Sequence, residues 1–194
     1  MSSEQISDSL STQRHSLAHI LAQAIQRTKD PLVQLGIGPS IDTGSYYDMI
    51  FNEGRAIAET DIGLVESTME KILKEKQPFV LLETTDDVSK EFLVMTGQQY
   101  KLELREEFLA AGESVTFFAN TIPLKAKEAM LREALPEYIA FYDAVTAYVH
   151  EKYPHLQDQY ITFLDMCAGP HVKNTGNIPS KSFAVDKFAG AYRK

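Results

Sequence analysis

The feature that most constrains this chain is a pair of four-residue spacings near its opposite ends. His15 and His19 lie in a segment with the apolar period of a helix, so they share one helix face, a turn apart. Cys167 and His171 repeat the spacing, but a Gly-Pro dipeptide lies between them and indicates a strand that runs into a tight turn. If the two pairs form one site, the fold has to bring the first helix against the end of a late strand.

Periodicity and turn signals predict an α+β fold with a largely antiparallel sheet, packed helices and a cleft between a helix face and strand ends. The mixture of strands and helices, without a regular alternation, is typical of this class. Helices are predicted over 13–28 with Thr12 as the cap, from Thr60 or Asp61 to Pro78, over 86–95 closed by Gly97, and over 124–153 with a new start at Pro136. Strands are predicted over 45–51, 79–82, 100–104, 115–118, 160–167 and 182–188.

The composition argues against several classes of function. The formal net charge is −8, and an acidic chain is a poor general binder of nucleic acid because phosphate affinity comes largely from Lys and Arg. No apolar run approaches the roughly 18 residues that span a membrane, so no membrane partner is expected. Cys167 is the single cysteine, which excludes an intrachain disulfide and fits a cytoplasmic location.

The two pairs allow more than one chemistry. Two histidines from a helix, with a cysteine and a histidine from a turn, make a tetrahedral ligand set for zinc. The same set could hold a water without metal, because histidine is a good general base near neutral pH. Taken alone, the histidine pair is more typical of a solvated helix face opposite the apolar stripe of Leu17 and Leu21, and Cys167 of a buried structural thiol. Taken together, the four residues favour a shared site.

An acidic and a basic residue are further candidates for the same site. On a strand, Asp165 and Cys167 point the same way, so the carboxylate could orient a histidine or a water; it could instead cap the following turn. Lys101 lies on the polar side of the predicted strand 100–104 and by itself is typical of a surface lysine.

Five motifs run in order through the chain: Arg14-His-Ser-Leu-Ala-His19, Gly36-Ile-Gly-Pro-Ser-Ile-Asp-Thr-Gly-Ser-Tyr-Tyr-Asp48, Gly97-Gln-Gln-Tyr-Lys-Leu-Glu-Leu104, Asp165-Met-Cys-Ala-Gly-Pro-His-Val172 and Phe188-Ala-Gly-Ala-Tyr192. Together they resemble the editing domain of bacterial threonyl-tRNA synthetases. The resemblance implies a hydrolase that removes serine wrongly attached to the threonine tRNA. Its partners would be the 3′ end of that tRNA and the aminoacylation core of the same synthetase.

The resemblance also implies a role for each matched position. His15 and Lys101 would position or activate the attacking water, Asp165 would assist, His19, Cys167 and His171 would line the cleft, and Tyr47 would hold the terminal adenosine or shape the pocket. The family is thought to edit without metal, whereas relatives that edit alanyl-tRNA hold zinc on the same kind of quartet. No cofactor is therefore required, although zinc could bind to His15, His19, Cys167 and His171.

The chain departs from the family pattern at several places. Ala168 stands where the family usually has Arg, and Ser45 where an aromatic residue is usual. We expect a disordered lead over 1–12 and an editing domain over 13–194, with an inserted helical stretch at about 120–158 of unknown role. The aminoacylation core is absent, so the chain is either cut from a longer synthetase or freestanding, and its abrupt end favours a cut.

Three alternatives stay open. The first is an editing hydrolase for alanine tRNA, against which the Gly-Pro dipeptide and the 188–192 motif favour the threonine family. The second is a zinc-stabilised tRNA-binding module without catalysis. The third is an inactive tRNA-binding appendage in which the helices over 124–153 do the binding, and the acidic balance argues against it.

Overall fold

A long first helix and a three-stranded sheet position the residues singled out by the sequence. The computed structural model describes residues 3–189, with side chains from residue 10 onward. The helices are α1 (Ser3–Thr28), α2 (Ile62–Glu75), α3 (Asp86–Met95), α4 (Gln99–Ala110), α5 (Lys127–Met130) and α6 (Pro136–Lys152). The strands are β1 (Gln34–Leu35), β2 (Ser40–Ile41), β3 (Gly44–Ser45), β4 (Met49–Ile50), β5 (Phe79–Glu83), β6 (Thr116–Pro123) and β7 (Gln159–Met166).

Strand β6 is the centre of the main sheet. It pairs antiparallel with β5 on one side and with β7 on the other. In this register Phe117 lies opposite Met166 and Phe118 opposite Asp165. Two short antiparallel ribbons, β1 with β4 and β2 with β3, form between α1 and α2. The predicted α+β class with antiparallel strands is confirmed.

The main sheet lies between two clusters of buried apolar side chains. Phe163 of β7 belongs to the cluster that contains Ile20 of α1 and Ile72 of α2. Leu164, the next residue, belongs to the other cluster, which contains Tyr142 of α6. Helices therefore cover both faces of β7, and all of its residues after Gln159 are buried. Burial of this kind removes β7 from contact with bulk water, whereas Cys167 and Gly169 just after it are partly exposed.

Helix α1 is buried on the face opposite its apolar stripe as well. Ala22 and Gln26, which share that face with the histidines, are 0% and 2% exposed. Tyr142 donates its hydroxyl hydrogen to Gln26 Oε1 at 2.6 Å. Arg27 makes two hydrogen bonds to the carboxylate of Glu75, at 2.9 and 2.8 Å. His19 is itself 2% exposed and His15 is half-buried, so the alternative of a solvated histidine pair on an outer helix face is wrong.

The segment 100–104, predicted as a strand, is instead the first part of α4. Its alternation of polar and apolar residues is short, and a pattern of that length does not separate a strand from a helix. Lys101 and Arg105, one helical turn apart, are both buried. Gly97, at a φ of +66°, allows the sharp turn between α3 and α4.

Three other predicted boundaries are wrong. Helix α1 begins at Ser3 rather than after Thr12, so residues 3–12 belong to the helix; neither Gly nor Pro interrupts them. The predicted strand 45–51 is divided between β3 and β4. No strand forms over 182–188, where the Val185 N–H donates to the Glu66 carboxylate of α2 instead of to a neighbouring strand.

Strand β6, predicted over 115–118, runs from Thr116 to Pro123, so residues 120–123 of the predicted helical stretch are strand. The other predictions agree with the structure more closely. The predicted first residues of α2 and α3 are confirmed to within one residue, and Pro136 is confirmed as the first residue of α6. The predicted strands that correspond to β5 and β7 are confirmed to within one residue at each end. The stretch 124–153 consists of a short 3₁₀ turn, α5 and α6. Among the described residues, no helix combines the length and the apolar character that crossing a lipid bilayer requires.

Candidate active site

The two four-residue pairs meet in one cluster. His15 Nε2 lies 3.0 Å from Cys167 Sγ, and His171 Nε2 lies 3.5 Å from the same sulfur. One ligand atom from each of His15, His19, Cys167 and His171 lies within 4.8 Å of the other three. The face of α1 and the turn after β7 therefore close on a single site, as the spacing of the pairs predicts.

A backbone carbonyl fixes the tautomer of His15. Its Nδ1 lies 3.1 Å from the carbonyl oxygen of Gly38, which can only accept a hydrogen bond, so Nδ1 carries the hydrogen. Burial lowers the pKa of His15, against the opposing effects of the Gly38 carbonyl and Asp165. The ring is therefore neutral near pH 7, and its Nε2 presents a lone pair to the cluster.

His171 is held by a hydroxyl and by aromatic rings. Its Nδ1 lies 3.1 Å from Ser16 Oγ, which also accepts the Val172 N–H at 3.1 Å. The ring stacks on Phe79 with 4.5 Å between centroids and an angle of 7° between planes. Burial, together with the neighbouring imidazoles, lowers the pKa of His171 to about 2, so this ring is neutral as well.

His19 is the most deeply buried of the three histidines, at 2% exposure. Its Nε2 lies 3.6 Å from Asp165 Oδ2. Its Nδ1 has no hydrogen-bond partner among the described residues. Burial lowers the pKa of His19 well below its usual value, which keeps the ring neutral. A neutral, buried ring with an unpartnered nitrogen is suited to a water or a metal ion in the cleft.

Lys101, Asp165 and Tyr47 form a polar network beside the cluster. The Lys101 ammonium donates to Asp165 Oδ1, to Tyr47 Oη at 3.2 Å and to the Met166 carbonyl at 3.0 Å. Tyr47 donates its own hydrogen to Asp165 Oδ2. Lys101 is 3% exposed, so the alternative of a surface lysine is wrong; the helical course of α4 turns this side chain inward. Asp165 serves the network and does not cap the turn.

The thiol of Cys167 is not activated. Burial, followed by the nearby Asp165 carboxylate, raises its pKa to about 11. The Gly169 N–H donates to the sulfur at 3.2 Å and opposes this effect. Near neutral pH the side chain is therefore a thiol, whereas reactive cysteines have a lowered pKa.

A cleft of about 480 Å³ opens over these residues. Its polar floor is formed by His15, His19, Tyr47, Lys101, Asp165 and Cys167, and its apolar wall by Leu104, Phe108, Val115 and Met166. His171, expected to line the cleft, belongs to the cluster but is not among the residues that line the cleft. The volume lies in the range of small-molecule sites. The cleft between a helix face and the end of a strand is the one the sequence predicts.

The four clustered side chains could hold a metal ion. The ring nitrogens of His15 and His171 that face away from the cluster bond to Gly38 and Ser16, as the outer nitrogens of metal-bound histidines do. Tetrahedral zinc has ligands at about 2.0–2.3 Å, so its ligand atoms lie roughly 3.5 Å apart. The cluster, with a largest separation of 4.8 Å, would have to contract around zinc.

Sequence reasoning missed two supporting residues. Ser16 holds His171 and Gly38 holds His15, yet neither carries a group that stands out in the sequence. The signal that could have found Gly38 is its place in the Gly36-Ile-Gly38 repeat, since closely spaced glycines often mark a tight backbone approach.

Comparison with known proteins gives a consistent set of relatives, although no protein-family profile matches the chain. The threonine–tRNA ligase of Thermosynechococcus vestitus is 33% identical over 186 residues, which is 96% of this chain and 23% of that protein. The chain is a homologue of one segment of threonine–tRNA ligases. The ligases of Thermotoga neapolitana and Streptococcus mutans are each 33% identical, over 92% and 95% of the chain and 21% of their own length.

Threonine–tRNA ligases are thus the family that the five motifs resemble, and this recognition is confirmed. The chain spans less than a quarter of the length of these relatives. The last motif, over 188–192, lies partly outside the described residues.

Proposed function

We propose that this chain hydrolyses the ester that joins serine to the 3′-terminal ribose of threonine tRNA, a proofreading reaction. The observation that carries the proposal is the neutral imidazole of His15, whose Nε2 faces the cleft while the Gly38 carbonyl holds its Nδ1–H. Relatives that are threonine–tRNA ligases support the choice of tRNA, since such an enzyme is exposed to this error.

In the proposed reaction His15 takes a proton from water at Nε2. The water oxygen then attacks the ester carbonyl carbon, and the imidazolium returns the proton to the ribose oxygen as the carbon–oxygen ester bond breaks. The hydrogen bond from Nδ1 to Gly38 stabilises the imidazolium and keeps Nε2 aimed at the water. His19 Nδ1, which lacks a partner among the described residues, is a second position that could bind this water.

Lys101 contributes charge and position. Each of the three hydrogens of its ammonium has a protein acceptor, in Asp165, Tyr47 and Met166. It therefore stabilises the developing oxyanion through its field, from a position that is itself buried. Asp165 fixes the ammonium, and Tyr47 shapes the cleft by binding both groups. This division of roles agrees with the burial of Lys101 and Asp165 and the partial burial of Tyr47.

A covalent mechanism through Cys167 is the less favoured route. A pKa of about 11 leaves almost no thiolate at neutral pH, and an ordinary cysteine nucleophile needs the opposite shift. We propose that the thiol instead donates a hydrogen bond to His15 Nε2 when no substrate is bound. When the ester binds, the attacking water replaces the thiol as the hydrogen-bond donor to this nitrogen.

The choice of serine over threonine follows from size. The aminoacylation site of a threonine–tRNA ligase cannot exclude the smaller serine well, because the one missing methyl changes the binding free energy by only about 1–3 kcal/mol. A second site that admits serine and refuses threonine by steric clash solves this problem. We assign this exclusion to the walls of the cleft around Cys167 and Met166.

Zinc is a second candidate for the cluster, favoured by the mutual approach of its four ligand atoms. A zinc ion held by three of these side chains would keep a fourth position for a water of lowered pKa, whereas four protein ligands would fill the tetrahedral site and leave none. His15, His19, Cys167 and His171 would hold it, and the hydrogen bonds to Gly38 and Ser16 would orient the rings. Elemental analysis of the purified protein, with unfolding in chelator, separates a zinc protein from the metal-free hydrolase.

The acidic balance limits how the tRNA is bound. With a net charge of −8 the chain is suited to contact only the 3′ end of the tRNA, while the aminoacylation core of the synthetase binds the remainder of the tRNA. We place the reaction in the cytoplasm, where the charged tRNA is used.

The test compares three substrates: seryl-tRNA and threonyl-tRNA for threonine, and seryl-tRNA for alanine. The proposal expects fast loss of serine from the threonine tRNA and slow loss from the other two. Preferential loss from the alanine tRNA would assign the chain to alanine editing. Equal loss of serine and threonine, or none above the rate in buffer, would contradict the proposal.

A further inference from the structure

We infer that Gly38 is a positioning residue for the hydrolysis. Because it has no side chain, the Tyr47 ring can pack against it while its carbonyl binds His15. This inference rests on the proposed function. On one side its carbonyl oxygen accepts the hydrogen of His15 Nδ1 at 3.1 Å. On the other side the Tyr47 ring packs against its Cα, where any larger residue would place a Cβ.

The space beside Gly38 is filled by an aromatic ring. A Cβ built on Gly38 would lie 2.6 Å from Cδ2 of Tyr47, 2.7 Å from Cε2 and 3.2 Å from Cγ. Carbon atoms in contact lie about 3.5–4.0 Å apart, so a methyl group here would require the ring to move by roughly 1 Å. Gly38 has no positive φ, and the backbone itself would accept alanine.

The ring has little freedom to move. At its far end the hydroxyl donates to Asp165 and accepts from Lys101 at 3.2 Å. At its near end, the next residue along the chain is tied to the segment that carries Gly38. The Asp48 N–H donates to the Ile37 carbonyl at 3.0 Å, and the Gly36 N–H to the Asp48 carbonyl at 2.7 Å. A methyl at Gly38 therefore pushes on a ring that is held at both ends.

A methyl group on Gly38 would disturb one of two proposed catalytic groups, depending on whether the ring or the backbone moves. If the hydroxyl of Tyr47 shifts, the ammonium of Lys101 loses one of its acceptors and Asp165 loses a donor. If the Gly38 backbone shifts instead, its carbonyl moves away from His15 Nδ1 and the imidazole is no longer held. Either response displaces the Lys101 ammonium or the His15 imidazole from the position that the attack of the water requires.

The experiment measures single-turnover release of serine from seryl-tRNA for threonine by Gly38→Ala, with Gly44→Ala as the matched control. Gly44 lies in the neighbouring ribbon, and a Cβ there meets nothing within 4 Å. We expect Gly38→Ala to lower the rate constant about 10- to 100-fold with a smaller change in KM, and Gly44→Ala to leave both unchanged.

A double-mutant cycle identifies the ring as the cause. In a Tyr47→Ala background the ring is gone, so Gly38→Ala should lower the remaining rate by less than about 2-fold. An equal fold-loss in both backgrounds, or an unchanged rate in the single variant, overturns the inference. If the single variant Gly38→Ala does not fold, the double variant Gly38→Ala with Tyr47→Ala should still fold. A double variant that also fails to fold would overturn the inference.

A spectroscopic readout separates this inference from the proposed function. The ¹³Cζ resonance of Tyr47, assigned with Tyr47→Phe, should shift in Gly38→Ala and stay in place in Gly44→Ala. If the wild-type protein releases no serine, the proposed function fails while this resonance still tests the contact. A resonance unmoved in Gly38→Ala would refute the role of Gly38 in either case.

Discussion

The ammonium of Lys101 and the carboxylate of Asp165 form an ion pair inside the protein, with side chains that are 4% and 2% exposed. The pair joins α4 to the last residues of β7 and lies directly beside the histidine cluster. Because both charges are removed from water, each depends on the other. The two residues are thus part of the stability of the fold as well as of the proposed chemistry.

Removing Lys101 should therefore destabilise the protein. In Lys101→Met the Asp165 carboxylate stays buried without its partner, and breaking a buried pair in this way costs about 3–5 kcal/mol. The double variant Lys101→Met with Asp165→Leu should recover part of this loss. Urea unfolding measures the free energy of unfolding of all variants. Lys71→Met, which breaks an exposed pair with Glu133, is the control and should change little.

The result that would contradict this prediction is a Lys101→Met protein as stable as the wild type. Such a result would mean that the ammonium is solvated in solution. It would then be free to contact substrate, and the role through Asp165 and Tyr47 would have to be abandoned.

The buried histidines should make the fold sensitive to acid. In the folded protein burial lowers the pKa of His19 well below its usual value and that of His171 to about 2. In the unfolded chain each pKa is about 6.5, so below this pH the unfolded state binds more protons. The free energy of unfolding should therefore fall as the pH drops from about 6.5, by about 1.4 kcal/mol per pH unit for each such histidine.

Urea unfolding between pH 7 and 5, with chelator present, tests this dependence. The slope below about pH 6 should become shallower in His171→Gln, and stay as in the wild type in His155→Gln, whose side chain is exposed. Parallel curves for the wild type and His171→Gln would show that His171 accepts its proton in the folded state, and its neutral role in the cluster would then be wrong.

The thiol should alkylate slowly at neutral pH. Burial raises the pKa of Cys167 to about 11, compared with about 8.5 for a free cysteine. Cys167 is the single cysteine, so the rate of iodoacetamide labelling reports on it alone. The rate constant should keep rising with pH beyond 9, whereas that of the urea-unfolded protein levels off. Rapid labelling of the folded protein near pH 7 would instead indicate a thiolate and revive the covalent route.

Much of the framework could be predicted from the sequence because the signals are local. The apolar period of α1, Pro136 at the start of α6 and the apolar run of β7 each identify an element without knowledge of its neighbours. The meeting of the two pairs could be predicted because four ligand-type side chains at matching spacings are unlike a solvated surface.

The rest depends on contacts between distant residues. The strand predicted at 100–104 is wrong because a short alternation of polar and apolar residues is compatible with both helix and strand. The contact of the buried Lys101 with Asp165, which the helix allows, is not visible in this pattern. The burial of Gln26 in α1 depends on Tyr142, which follows much later in the chain. The role of Gly38 depends on a ring whose position no pattern around the glycine reveals.

The most direct test of the proposed hydrolysis is the release of serine from seryl-tRNA for threonine by wild type, His15→Ala and the exposed control His155→Ala. General-base catalysis contributes about 10²- to 10⁴-fold, so His15→Ala should lose about that factor in rate while keeping its circular dichroism. His155→Ala should match the wild type. A His15→Ala protein that is folded and releases serine at the wild-type rate would contradict the role of this imidazole as the base.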